Sequence, residues 1–243
     1  MFKKEILPRI NALWRDPVII LSTGLASLLS VCCSFVDDTG RSQHRCATTW
    51  SRFVFWVSRV RLTVKGLDKL DPEKGYVFVS NHISIFDIWA FLARIPCQFR
   101  FAAKISLFKI PFLGWHMRRI GYIPVDHRNP RRTLKSYARV ADKIAKGVSF
   151  VIFPEGGRTT DGVISEFKRG AFMLPRHAKA PIVPVTIIGS HLRLKRGRLL
   201  IYPGPMEMIV HDPISWETYR EWPLAELADR TREIVLSAYR LEL

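Results

Sequence analysis

Residues 76–87 read YVFVSNHISIFD, and residues 148–158 read VSFVIFPEGGR. Each is a short apolar run, rich in Val, Ile and Phe, that stops at a polar cluster. A run that is apolar at consecutive rather than alternate positions reads as a strand buried on both faces. Such strands belong to sheets covered by helices, and ligands there sit beyond the carboxyl ends of the strands. The two polar clusters are therefore expected to face one crevice.

Working outward, Tyr76–Val79 is predicted as a strand ending at Ser80 and Asn81, which suit a helix cap. Val148–Phe153 is the clearest buried strand. Before them RLTVKGLDKL (residues 61–70) alternates apolar and polar positions, and DPEKG makes a turn. Phe99–Ala102 and Gly121–Val125 are further short strands. PIVPVTII (residues 181–188) is another, with Pro184 pointing to an edge or a bulge. Asn129 and Pro130 start a helix as cap and first residue. Its apolar face carries Leu134, Tyr137, Ala138, Ala141, Ile144 and Ala145, and Gly147 ends it. Leu199–Tyr202 and Met206–Val210 read as a closing hairpin around Pro203, Gly204 and Pro205. Leu224, Leu227, Ala228, Thr231, Ile234, Val235 and Ala238 mark a final amphipathic helix. The expected fold is α/β over residues 62–243, a mixed sheet flanked by helices, with no linker long enough to divide it.

Residues 1–61 differ. Val18–Val36 carries no charge and is just long enough to cross a bilayer as a helix. It exceeds a typical signal core and runs into Asp37 and Asp38, which argues against cleavage. Both flanks are basic, with Lys3, Lys4, Arg9 and Arg15 before and Arg41, Arg45, Arg52, Arg59 and Arg61 after, so charge does not orient it. Two arrangements fit. One is a shallow helical hairpin with both ends on the cytoplasmic side, its second arm WSRFVFWVSRV (residues 50–60) lying at headgroup depth. The other is a single membrane helix followed by an amphipathic core helix. Either ties the chain to a membrane, with the catalytic domain expected on the cytoplasmic face.

The 243 residues hold 38 Lys and Arg against 21 Asp and Glu, a formal charge of +17. That excess points to a polyanionic partner, of which an anionic membrane surface is one. No zinc finger, RNA-recognition motif or basic heptad is visible, so nucleic acid is not expected. Cys32, Cys33, Cys46 and Cys97 form no CxxC pair, so neither a disulfide framework nor a zinc site is expected.

The chemistry begins at His82 and Asp87. A base that activates an alcohol needs one imidazole nitrogen free and the other held by an acceptor that fixes the tautomer. The pair is not on one helical face. It meets only if His82 lies in the loop and Asp87 in the first turns of the next helix. No third metal ligand is apparent, so no metal is expected. Ser84 as a hydrolase nucleophile is the weaker alternative, because GxSxG is absent. In FPEGGR, Gly156 and Gly157 let backbone N–H groups approach an anion, and Arg158 offers a fork suited to phosphate. Glu155 stands beside them, and Lys168, Arg169 and Gly170 form a second basic spot.

Taken together these blocks resemble the 1-acylglycerol-3-phosphate acyltransferase family of glycerolipid acyltransferases. NHISIFD is similar to its HX4D block and FPEGGR to its FPEGTR block. FKRGAF (167–172) and IVPVTI (182–187) resemble the two that follow, and residues 101–115 with GYIPVDHR (121–128) the remaining region. The resemblance covers roughly residues 62–210. It implies a transfer from acyl-CoA or acyl carrier protein to the sn-2 hydroxyl of 1-acylglycerol-3-phosphate, giving phosphatidic acid, with no other cofactor. On it, His82 is the base and Asp87 orients it. Arg158, Arg128 and Lys104 hold the acceptor phosphate, and Glu155, Gly156 and Gly157 shape the site. Gly157 stands where the family usually has Thr, and His127 where it has Arg, with Arg128 one place later. Another lysolipid acceptor, such as a lyso-ornithine lipid or a larger-headed lysophospholipid, and a lipid hydrolase are the alternative readings. Lys104–Ile120, which mixes basic residues with Leu, Phe and Trp, is expected at the interface beside the acyl groove.

Overall fold

The computed structural model describes residues 3–126, 137, 140–159, 161–198 and 200–241, with side chains from Trp14 onward. Among the described residues the strands are β1 (Val60–Lys65), β2 (Val77–Ser80), β3 (Phe99–Lys104), β4 (Ile123–Val125), β5 (Ser149–Ile152), β6 (Ile182–Ile188) and β7 (Gly204–Val210). They form one mixed sheet in the order β1-β7-β6-β2-β5-β3-β4. β2 to β6 run parallel to one another, while β7 runs antiparallel to β6 and carries β1 parallel beside it. The α/β expectation holds.

The helices are α1 (Lys3–Cys33), α2 (Arg41–Ser58), α3 (Phe86–Arg94), α4 (Leu113–Ile120), α5 (Met173–Ala178), α6 (Ser190–Arg193), α7 (Trp216–Tyr219) and α8 (Leu224–Ala238). Residues 140–145 are also helical. Strand pleating sends alternate residues to opposite faces, and both faces are covered. Phe78 and Val151 pack with Val54 and Phe55 of α2 and Phe86 and Phe91 of α3. Val77, Val79, Phe150 and Ile152 pack with Ile144, Leu174 of α5, and Leu227 and Val235 of α8. Consecutive apolar residues in β2 and β5 reflect this double coverage.

Of the two alternatives at Pro184 the bulge is the one seen, and the closing hairpin is not. β6 lies inside the sheet, between β7 and β2. Pro184 is tolerated because the pairing slips by one residue there: Val185 faces Val210, yet Ile182 bridges Ile214. The bulge falls where Pro184 has no N–H to donate. The closing hairpin does not form, because residues 200–203 are not strand among the described residues. Tyr202 N–H donates to Arg193 and Gly204 N–H to Arg59, and β7 pairs with β1 and β6 instead. Asn129, Pro130, Leu134 and Ala138 lie outside the described residues.

The N-terminal helices form an antiparallel hairpin. Trp50 Nε1 donates to Ser22 Oγ at 3.2 Å, and Cys33 Sγ lies 4.0 Å from Cys46 Sγ. The connection is a tight turn in which Asp37 accepts from the backbone of Thr39 and Ser42, and Gly40 takes φ +77°. Arg100 and Gln98 both donate to Thr39 O, and Ser30 Oγ meets His116 Nδ1 at 2.6 Å, so the hairpin is bonded to β3 and α4. Ile19, Val54 and Phe55 share a core with the sheet. The outer surface of α1 is different, with Ile20, Leu21, Leu25, Leu28 and Leu29 exposed, and Phe35 and Val36 following. Phe53 and Trp56 of α2, and Leu107, Ile110, Phe112 and Trp115 around α4, are also exposed. Trp14–Cys33 is long and apolar enough to cross a membrane.

Candidate active site

β2 and β5 are parallel neighbours with Val79 opposite Ile152, so their polar clusters emerge side by side. The first residue beyond β2 is Asn81, fully buried. Its Nδ2 donates to Ile187 O at 2.9 Å and its Oδ1 accepts from Ile187 N at 2.8 Å. Asn81 therefore clamps the chain to β6. It does not cap a helix, and α3 starts only at Phe86. A primary amide carries both a donor and an acceptor, so it pairs a strand residue's backbone completely.

From that fixed point the chain turns through residues 83–85, and Asp87 in the first turn of α3 reaches back. Its Oδ2 accepts from Ile83 N at 2.7 Å and Ser84 N at 2.8 Å, and lies 3.1 Å from His82 Nδ1. Asp87 is fully buried. Backbone N–H groups at a helix start compensate its charge. The carboxylate acceptor assigns the proton of neutral His82 to Nδ1, which leaves Nε2 as the basic nitrogen. The imidazole stacks on Phe153 at 4.1 Å between centroids, so the end of β5 supplies its platform.

Glu155 joins the two strand ends. Its Oε1 accepts from His82 N at 2.6 Å and its Oε2 from Ser165 N at 2.8 Å. Burial pushes its carboxyl up to about 7, against the lowering effect of those two donors. Gly156 takes φ +76°, and an added Cβ would lie 2.8 Å from Lys168 Nζ. Gly157 is exposed, with open space where a side chain would project. Arg158 is half-buried. Burial and Arg196 lower its pKa, while Asp87 raises it, so the guanidinium lies within the field of Asp87. Arg196 Nη1 donates to Arg158 O.

Six of the expected site residues thus come together: His82, Asp87, Glu155, Gly156, Gly157 and Arg158. Lys104 ends β3, exposed, at the same end of the sheet. Arg128 lies outside the described residues. Ser84 is fully buried and its hydroxyl donates to Leu194 O, so it is not presented to a substrate. Among the described residues no group of three or more His, Cys, Asp or Glu is placed to hold a metal ion. Sequence reasoning missed the Asn81 clamp, Ser165 and Arg196. Only Arg196 had a visible signal, the basic run RLKRGR (residues 193–198) just after a strand.

The Acyltransferase family model matches residues 61–188, which hold both polar clusters. The chain belongs to the acyltransferase family. Within this family it is 33% identical over 153 residues to the chloroplast 1-acyl-sn-glycerol-3-phosphate acyltransferase of Brassica napus. That alignment covers 62% of this chain and 44% of the relative, so the chain spans about half the length of such plant relatives. It is 31% identical over 186 residues to the 1-acyl-sn-glycerol-3-phosphate acyltransferase of Pseudomonas aeruginosa, covering 74% of this chain and 71% of that one. The acyltransferase fold is shared with the crystal structure of the 1-acyl-sn-glycerophosphate acyltransferase PlsC from Thermotoga maritima. The TM-score is 0.81 at 22% identity, with 99% of this chain and 100% of the other covered.

Proposed function

We propose that this chain transfers a fatty acyl group from a thioester donor, acyl-CoA or acyl carrier protein, to the sn-2 hydroxyl of 1-acylglycerol-3-phosphate, releasing phosphatidic acid and a thiol. The observation that carries the reading is the His82–Asp87 pair, held by backbone N–H donors just past the end of β2, beside the parallel end of β5 from which the Glu155–Arg158 segment follows.

In this reading His82 Nε2 removes the acceptor hydroxyl proton as the oxygen attacks the thioester carbonyl carbon. Asp87 stabilises the imidazolium that forms. Collapse of the tetrahedral adduct breaks the C–S bond, and the imidazolium returns its proton to the departing sulfur. Arg158, with Lys104 and Arg128, holds the acceptor phosphate. No covalent enzyme intermediate is needed. Residues 1–61 anchor the protein, because α1 exposes a run of large apolar side chains and α2 exposes the rings of Phe53 and Trp56. The catalytic domain then sits at the cytoplasmic surface, where its positive charge meets anionic headgroups. Lipid substrate and lipid product both reside there.

The test uses the full chain in phospholipid vesicles with a panel of lysolipids, each offered acyl-CoA or acyl carrier protein as donor. Thiol release that depends on 1-acylglycerol-3-phosphate and yields phosphatidic acid supports the reading. Free fatty acid as the main product, or equal use of acceptors lacking a phosphate monoester, refutes it.

A further inference from the structure

A path of hydrogen bonds runs from α8, outside the family-matched stretch, to the backbone of His82. Arg232 donates from Nε to Ser165 O and from Nη2 to Ile164 O, both at 3.0 Å. Tyr239, just past α8, donates its hydroxyl to Gly162 O. The segment 162–165 is thus gripped at three carbonyls from α8 and the residue that follows it. Gly162 takes φ +82°, so the segment is already bent there. The next link is Ser165 N–H, which donates to Glu155 Oε2, and Glu155 Oε1 then holds His82 N. Glu155 is 6% exposed, so water offers its oxygens little alternative. Asp87 fixes the ring of His82 from the other side.

We propose that Arg232 is a positioning residue for His82, acting through residues 164 and 165 and the Glu155 carboxylate. The inference rests on the reading of His82 as the base. A planar guanidinium can hold two successive carbonyls at once, and an ammonium cannot do so in the same geometry. The loss of that grip lets Ser165 N–H swing away from Glu155. The carboxylate then loses one of its two donors, and the bond that sets the height of the His82 backbone loosens. Arg158 and Lys104 are not part of this path, so acceptor binding is left alone. Displacing a catalytic group by about 1 Å costs up to roughly 10²-fold in rate.

The experiment compares wild type with Arg232→Ala, Arg232→Lys and Tyr239→Phe in vesicles. It reads kcat and acceptor KM separately, thermal stability, and amide hydrogen exchange of the segment around His82. Arg232→Ala is expected to lower kcat roughly 10-fold or more with KM changed less than about twofold. The His82 segment should exchange faster while the melting temperature holds. Arg232→Lys should recover part of the rate, and Tyr239→Phe should show a smaller loss of the same kind. Wild-type kcat and wild-type protection of the His82 amide in Arg232→Ala would overturn the proposal. So would a fall in rate that merely tracks a lowered melting temperature. If wild type transfers no acyl group, the proposed function fails, while exchange at the His82 amide still decides the Arg232 path.

Discussion

Asp87→Asn offers the sharpest test of the site's electrostatics. The orientation of the new amide is dictated by its surroundings. Oδ2 accepts from Ile83 N at 2.7 Å and Ser84 N at 2.8 Å, so only the amide oxygen can occupy that position. The amide nitrogen must then take the place of Oδ1, which is buried and has no hydrogen-bond partner. His82 keeps an acceptor at Nδ1, so its tautomer survives and the loss is of charge alone. A unit charge pair at the 3.1 Å separation seen here is worth about 5 kcal/mol at an effective dielectric of ~20. The neutral amide retains about 1–1.5 kcal/mol as an ordinary hydrogen bond. The imidazolium-bearing transition state should therefore lose about 3–4 kcal/mol, a fall in kcat of roughly 10²–10³-fold. The unsatisfied amide nitrogen should also reduce folding stability by about 1–3 kcal/mol. The assay is thiol release with saturating 1-acylglycerol-3-phosphate in vesicles, alongside a thermal melt. A variant within threefold of wild-type kcat would show that the Asp87 charge does not stabilise the imidazolium.

Arg158→Ala should raise acceptor KM about 10-fold or more while kcat falls much less, since a charge-assisted bond to phosphate contributes about 1.5–3 kcal/mol; an unchanged KM in steady-state assays would remove Arg158 from the phosphate site. Gly156→Ala should lower folding stability by about 1–2 kcal/mol through its left-handed φ alone, with crowding of Lys168 in addition. Gly157→Ala, which meets open space, should leave the melting temperature within a degree or so. Glu155 gives a pH signature. Its folded-state pKa, about 7, lies above its ordinary value of 4.5, so the native state binds the extra proton between them. The stability contributed by this group is complete below pH 4.5 and falls as pH rises toward 7. Denaturant titrations of wild type and Glu155→Gln should therefore differ in pH slope across that window, with wild type falling more steeply.

The sheet was legible because its central strands carry apolar residues at consecutive positions, as double coverage requires. The site was legible because polar residues cannot continue such strands, so Asn81, His82, Glu155 and Arg158 stand out where β2 and β5 stop. What escaped reading depends on distant partners. Asn81 looked like a helix cap because its local sequence permits one, and only the neighbouring strand β6 shows where its amide goes. The expected hairpin at residues 199–210 failed because β7 found a parallel partner in β1, from the start of the domain. Arg232 and Ser165 carry no local mark at all, since a hydrogen bond between them is a property of the folded chain. Gly157, read as a departure from the usual block, proves to sit in open space, so its missing hydroxyl leaves no packing defect.

Everything in this mechanism depends on the His82 imidazole removing the acceptor proton. That step is tested most directly by turnover of His82→Ala with 1-acylglycerol-3-phosphate and acyl thioester in vesicles, with circular dichroism and vesicle sedimentation alongside. In this variant kcat should fall roughly 10²–10⁴-fold with secondary structure and vesicle binding unchanged. A variant that folds, binds vesicles and turns over at the wild-type rate would contradict it.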